Sequence, residues 1–262
     1  MKTLTHIAVR HPAGRRARPG RRSDRGFSLI ELLTVISIIG ILAAIGAGLA
    51  GVASKKSKEG ATKAERDKLI TAIEQYRADF NQYPPDNFVN AGAASFVNAA
   101  VNPLYYELSG TVSSQQGRYY QLADHNEQLS VAQIQTLFHR RGFLNSTEAP
   151  DKPRKGYLQD VKARQLGELE VTGVGHVDLL LAPVAWPLKS VRVDLNGDGA
   201  AEEVDLKAVA PLAGVATTDS QLRLNPWQYV STNPTNNLTS FDLWSDVWIG
   251  RQHQIIGNFQ SQ

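Results

Sequence analysis

A single carboxylate, Glu31, interrupts an apolar run that reads FSLIELLTVISIIGILAAIGAGLAGVAS over residues 27–54. A charge in such a span is costly unless it has a partner, so residues of this kind usually carry a function. Glu31 lies one turn into the run, near enough to reach an interface. No basic residue within the run can pair with it. Its partner is therefore expected from another chain, or from a new amino terminus made by cleavage. A second constellation, Asp194-Leu195-Asn196-Gly197-Asp198-Gly199, continues to Glu202, Glu203 and Asp205. The oxygens of Asp194, Asn196, Asp198, Glu202 and Asp205, with Gly199 at the sixth position, match the spacing of a twelve-residue calcium loop. Calcium needs six to eight hard oxygen ligands, which such a loop supplies. Asp205 reaches less far than the usual closing Glu, and the flanks read as strands and not as the helices of an EF-hand. The same residues serve equally well as an Asn-Gly or Asp-Gly hairpin turn, where positive φ is required.

Catalysis finds no comparable footing. There is no Gly-x-Ser-x-Gly elbow, His-Glu-x-x-His pair, phosphate loop or dinucleotide fingerprint, so the chain is not expected to be an enzyme. Beyond the N-terminal arm the histidines are His125, His139, His176 and His253, none at metal spacing from another. Cysteine is absent, which removes disulfides, zinc-thiolate sites and thiol nucleophiles together.

The elements that must position Glu31 follow from hydropathy and charge. Residues 32–53 contain no charge, and a helix of about 20 apolar residues crosses a bilayer core. Residues 1–26 carry eight Lys/Arg against one acid, Asp24, whereas the other 236 residues carry 20 basic and 24 acidic side chains. All net basicity thus sits in a short arm, which excludes a basic nucleic-acid-binding body. The arm should stay cytoplasmic and everything after residue 55 should lie outside. The Ala-rich stretch 43–53 also has the character of a signal-peptide cleavage site. The helix should continue beyond the apolar run: Leu69, Ile73, Tyr76, Phe80 and Tyr83 form one stripe at helical spacing, and Pro84-Pro85 ends it. A helix over 27–81 would be roughly 80 Å long at 1.5 Å per residue. Its stripe is expected to pack on the protein's own C-terminal part.

Here the residues resemble a known family. Gly26-Phe27-Ser28-Leu29-Ile30-Glu31-Leu32-Leu33, behind a basic leader, is similar to the prepilin signature of type IV pilins and type II secretion pseudopilins. The resemblance implies cleavage between Gly26 and Phe27 by a prepilin peptidase, N-methylation of Phe27, and pairing of Glu31 with the terminal amine of a neighbouring subunit during filament assembly. It implies as partners further copies of the chain, other pseudopilins and an inner-membrane assembly platform. The chain would be single-pass in the inner membrane, its N-terminus cytoplasmic and its C-terminal part periplasmic. Many members have a proline near the end of the apolar segment, where this chain has Gly46 and Gly48.

Two further segments extend the resemblance toward the major pseudopilin of type II secretion. One is the helix end Tyr76-Arg77-Ala78-Asp79-Phe80-Asn81-Gln82-Tyr83-Pro84. The other comprises Asn225-Pro226-Trp227, Phe241-Asp242-Leu243-Trp244-Ser245 and Ile256-Gly257-Asn258-Phe259. Those pseudopilins commonly bind calcium after the Phe-Asp-Leu strand. Here residues 246–257 hold one acid, so a calcium site, if present, belongs to the 194–205 loop.

The expected fold is α+β and pilin-like: a long N-terminal helix packed on a C-terminal antiparallel sheet. Residues 1–26 read as leader, 27–54 as transmembrane and assembly helix, 55–83 as its amphipathic continuation, 84–185 as a variable inserted region and 186–262 as the sheet-bearing part. Strands are expected at 176–182, 190–195, 203–209, 227–232 and 240–244. A short helix is expected at 131–141, and a loop with a short helix at 87–103. The expected function is a filament subunit, foremost a type II secretion pseudopilin. An adhesive or motility type IV pilin, and a tethered periplasmic domain that never polymerises, are the alternatives.

Overall fold

The computed structural model describes residues 27–90, 92, 95–122, 128–148, 155–158, 160–184, 190–193, 200, 202–208, 225–249 and 252–259. Over 45–50, 190–193 and 205–208 the description is of backbone alone. The leader, with Gly26, lies outside the described residues. The chain divides into two compact units, Met1–Ala50 and Gly51–Gln262.

The described part of the first unit is the start of helix α1 (Leu29–Phe80). Leu, Ile and Ala dominate it, and the straight-chain members among them lose little freedom in a helix. Every described side chain from 27 to 44 is exposed, so the apolar surface runs around the helix and is not gathered in a stripe. Among the described residues no helix is long and apolar enough to cross a membrane. The side chains of the uncharged run are described only as far as Ala44 and again from Gly51.

In the second unit α1 becomes amphipathic. Leu69, Ala72, Ile73 and Tyr76, at i, i+3, i+4 and i+7, are each no more than 2% exposed. Phe80 and Tyr83 pack half-buried against the same core. The stripe therefore covers the protein's own core, as expected. The helix stops where its sequence says it should: Asn81 takes φ 54°, a left-handed cap that Asn tolerates, and Pro84-Pro85 follow.

After the helix come β1 (Phe88–Val89) and β2 (Phe96–Val97), which pair with each other, then α2 (Leu104–Ser109). Next are β3 (Thr111–Ser114), β4 (Tyr119–Leu122), β5 (Gln128–Ser130), α3 (Val131–Phe138) and β6 (Ser146–Thr147). These strands form a sheet ordered β5-β4-β3-β6, in which β3 and β6 run parallel. Then come β7 (Leu166–Val171), β8 (Gly175–Leu180), β9 (Ser190–Val193) and β10 (Glu202–Ala208), in an antiparallel sheet ordered β8-β7-β10-β9. Finally β11 (Gln228–Val230), β12 (Asp242–Ile249) and β13 (Gln252–Gly257) form a three-stranded antiparallel sheet. One helix-first half and a strand-rich remainder make the fold α+β.

The architecture differs from the sequence expectation in two places. The five expected strands exist, but they fall in two sheets: β8, β9 and β10 lie in one, where β7 joins β8 to β10, and β11 and β12 pair with each other and β13 in the other. Residues 87–103 hold the β1–β2 ladder, and the short helix begins only at Leu104. Residues 84–185, read from sequence as a variable inserted region, contribute to the core: Val101, Leu104, Ile134, Leu137, Phe138 and Leu169 are all fully buried in the cluster that also holds Ile73, Tyr229 and Leu243.

Candidate assembly site at the start of the long helix

The first turn of α1 is organised by two polar residues. Ser28 precedes the helix, and Glu31 is its third residue, a Ser-x-x-Glu capping box. The Ser28 backbone N–H and hydroxyl both donate to Glu31 Oε2, at 2.9 and 2.7 Å, and the Glu31 N–H donates back to Ser28 Oγ at 3.3 Å. Two donors that a helix start would leave orphaned are thereby satisfied. Glu31 thus has an uncharged hydrogen-bond partner in its own chain, three residues back, distinct from the cationic partner expected from another chain or a new amino terminus. The Ser-x-x-Glu spacing was visible in the sequence. Two further hydroxyls of the segment are likewise satisfied, with Thr34 Oγ1 donating to Glu31 O at 2.9 Å and Ser37 Oγ to Leu33 O at 2.8 Å.

Phe27 lies just outside the helix and is 80% exposed. Glu31 is exposed as well. The arrangement presents an accessible residue 27 and, four residues on, a carboxylate whose second oxygen receives no hydrogen bond among the described residues. Chemically it can accept one further cationic donor.

The candidate calcium residues are only partly placed. Asp194, Asn196 and Asp198 lie outside the described residues. Glu202 and Asp205 stand on β10, opposite Val193 and Ser190 of β9. At about 3.3 Å per residue an extended strand separates their backbones by about 10 Å, where a twelve-residue metal loop would still be turning. Among the described residues no group of three or more His, Asp or Glu could hold a metal. His139 caps α3 and its Nδ1 is 2.9 Å from Asn87 Oδ1, while His253 Nε2 is 2.9 Å from Asp246 Oδ1. His176 lies on β8 opposite Glu170, and His125 is outside the described residues.

Three buried carboxylates escaped the sequence reading, and all three organise backbone. Glu107, fully buried on α2, accepts from the Leu144 N–H at 3.0 Å, the Asn145 N–H at 3.0 Å and the Tyr76 hydroxyl at 2.9 Å. Burial pushes its carboxyl above the usual range, the three donors opposing this only in part. Asp86 accepts from the N–H groups of Ser231 and Thr232. Asp242, 2% exposed, accepts from the backbone N–H groups of Thr235, Asn236 and Asn237, each at 2.9 Å. No periodicity marks such residues, because their partners arrive through tertiary contacts.

No curated protein and no solved structure matches the chain. The family model of the prokaryotic N-terminal methylation motif matches residues 21–47, a span that includes Gly26, Phe27, Ser28 and Glu31. The chain thus carries a prepilin-type N-terminus and is type IV pilin-like in this segment.

Proposed function

We propose that the chain is a structural subunit of a type IV pilus-like filament, and within that class a type II secretion pseudopilin that polymerises at the inner membrane to drive protein export. A prepilin peptidase removes residues 1–26, Phe27 is N-methylated, and residues 27–54 anchor the subunit in the membrane. Assembly brings the Glu31 carboxylate of one copy to the terminal amine of the next. The observation that carries this reading is the methylation motif over 21–47, lying across an exposed Phe27 and an exposed, capped Glu31. Other pseudopilins and an inner-membrane assembly platform are the proposed partners, and calcium in the 194–205 loop is the proposed ion.

The apolar surface supports the same reading. Leu29, Ile30, Leu33, Ile36, Ile39 and Leu42 are all at least half exposed, more apolar surface than water tolerates in a lone helix. Lipid first, and neighbouring helices after assembly, would cover it.

The decisive experiment is the mass of the N-terminal peptide of the full chain from native membranes. A peptide beginning with methylated Phe27 supports the filament reading. An intact Met1, or a cut near Ala53, overturns it. Secretion and piliation assays of a deletion strain then separate the two filament types: loss of exoprotein export indicates a pseudopilin, loss of surface fibres or motility an adhesive pilin. The C-terminal segments around Trp227 and Phe241, and the absence of cysteine, favour the first.

A further inference from the structure

Basic residues gather where α1 leaves the apolar run. Lys55, Lys56 and Lys58 are all exposed on the helix, no more than four residues beyond residue 54. A chain spans at most about 3.5 Å per residue, so the Lys58 backbone stands within about 14 Å of the end of the run whatever the path between them. Lys58 also lines a cleft of about 800 Å³ in the second unit, and Lys162 and Arg164 line the same cleft. These two come from the short 3-10 turn that directly precedes β7, and both are exposed.

One buried amide holds the turn against the helix. Gln165 is 9% exposed; its Nε2 donates to the Glu65 carboxylate on α1, and its Oε1 accepts from the Lys162 N–H at 2.8 Å. Lys162 and Arg164 are thereby kept close enough to feel the charge of Glu65. The charged lining of the cleft is Lys58, Lys68, Lys162 and Arg164 against Glu65 and Asp160, an excess of two positive charges. Lys55 lies three residues before Lys58, on the same helix face, and carries the basic row toward the apolar run. Between the charges Ala61 lines the cleft with a small side chain, and the volume is within the range of ligand sites.

We propose that this basic cleft binds the phosphate of an anionic phospholipid headgroup, in the membrane that holds residues 27–54. The inference rests on the reading of that run as a membrane anchor. Beyond the hydrocarbon core the headgroup layer extends for roughly 5–7 Å on each side, so Lys55, Lys56 and Lys58 enter it as soon as the run ends. The stems of Lys162 and Arg164 can lie along apolar surface while their charged ends reach the same layer. Clusters of about four to eight Lys and Arg beside a spanning helix attract anionic headgroups, and Lys55, Lys56, Lys58, Lys162 and Arg164 make such a cluster. Free phosphate shares the chemistry, but only a lipid carries its phosphate at the depth where the apolar run gives way to these cations.

The test uses the full chain from native membranes, reconstituted in vesicles of phosphatidylcholine with a minor share of phosphatidylglycerol. A photo-crosslinking amino acid replaces Ala61, which is exposed in the cleft, and adducts are identified by mass spectrometry. Flotation reports on the anchor first. A chain left behind by floating vesicles overturns the anchor reading and this inference together; a chain that floats without lipid preference overturns this inference alone. The expected result is adducts richer in phosphatidylglycerol than the bilayer itself. Lys162→Gln with Arg164→Gln should lower that enrichment about fivefold or more, since each charge near the surface weighs roughly that much. Lys162→Arg, which keeps the charge, should leave it unchanged. Should the double variant lower the melting temperature, Lys55→Gln with Lys58→Gln, both at exposed helix positions, provides the same comparison. Four results would each overturn the proposal: enrichment no higher than at the exposed loop residue Leu238, enrichment insensitive to the charge variants, adducts mainly to a second copy of this chain, or loss of the enrichment when inorganic phosphate replaces chloride at equal ionic strength.

Discussion

Ser28 and Glu31 are joined by three hydrogen bonds at the start of α1, two of them to the single oxygen Oε2 of Glu31. A carboxylate that sequence logic assigned to another chain thus already has a local task. The two roles are compatible, because the cap occupies one oxygen and leaves the other for a cation.

The pair separates capping from charge pairing by substitution. Glu31→Gln keeps an acceptor for the Ser28 N–H but has no charge, so the helix start should persist while filament assembly fails. Ser28→Ala should cost about 1 kcal/mol of helix stability and leave assembly largely intact. Filament yield after membrane shearing, together with N-terminal processing, measures both. Normal assembly of the Glu31→Gln chain would remove the charge-pairing role.

Glu107 should make stability depend on pH. Burial raises its carboxyl above the ordinary value of 4.5, so the native state holds the proton more tightly than the unfolded chain. Its contribution is complete below the ordinary value and is lost as pH rises through the raised native one. Denaturant melts of wild type and Glu107→Gln between pH 4 and pH 8 should therefore show a gap that narrows with rising pH. Glu107→Ala should cost about 1–3 kcal/mol at the acid end of that range, where the Leu144 and Asn145 N–H groups lose their acceptor, and its gap to wild type should narrow with rising pH in the same way.

Asp242 holds the 235–237 turn through three backbone N–H groups. Asp242→Ala should destabilise the fold by about 1–3 kcal/mol, and hydrogen exchange should accelerate at Thr235, Asn236 and Asn237 before it does elsewhere. Uniform acceleration across the protein would show that the turn is not a local unit.

The 194–205 loop should respond to calcium. With the ion at one hundred times its dissociation constant the full chain should gain about 2.7 kcal/mol, seen as a higher melting temperature that Asp198→Ala abolishes. Magnesium, which demands a stricter octahedral site, should not reproduce the shift. Equal melting temperatures with calcium and with chelator would leave the loop as a hairpin turn.

What the sequence determined by itself was local or periodic. The stripe from Leu69 to Tyr83 predicted the buried face of α1, because spacing of three and four residues depends on helix geometry alone. Asn81 and Pro84-Pro85 marked its end through backbone sterics. The Phe27 and Glu31 segment was recognisable because its residues are contiguous, and the capping box of Ser28 could be read from the same stretch. Tertiary structure decided what depends on partners far along the chain. β7 joins β8 to β10 in one sheet while β11 and β12 pair with β13 in another, so strands that look like one sheet belong to two. Glu107 looks like an ordinary surface acid until Tyr76 and residues 144–145 close over it. That β7 pairs with β10, far along the chain, was equally hidden, because hydrogen bonds between distant strands leave no periodic trace in the residues that make them.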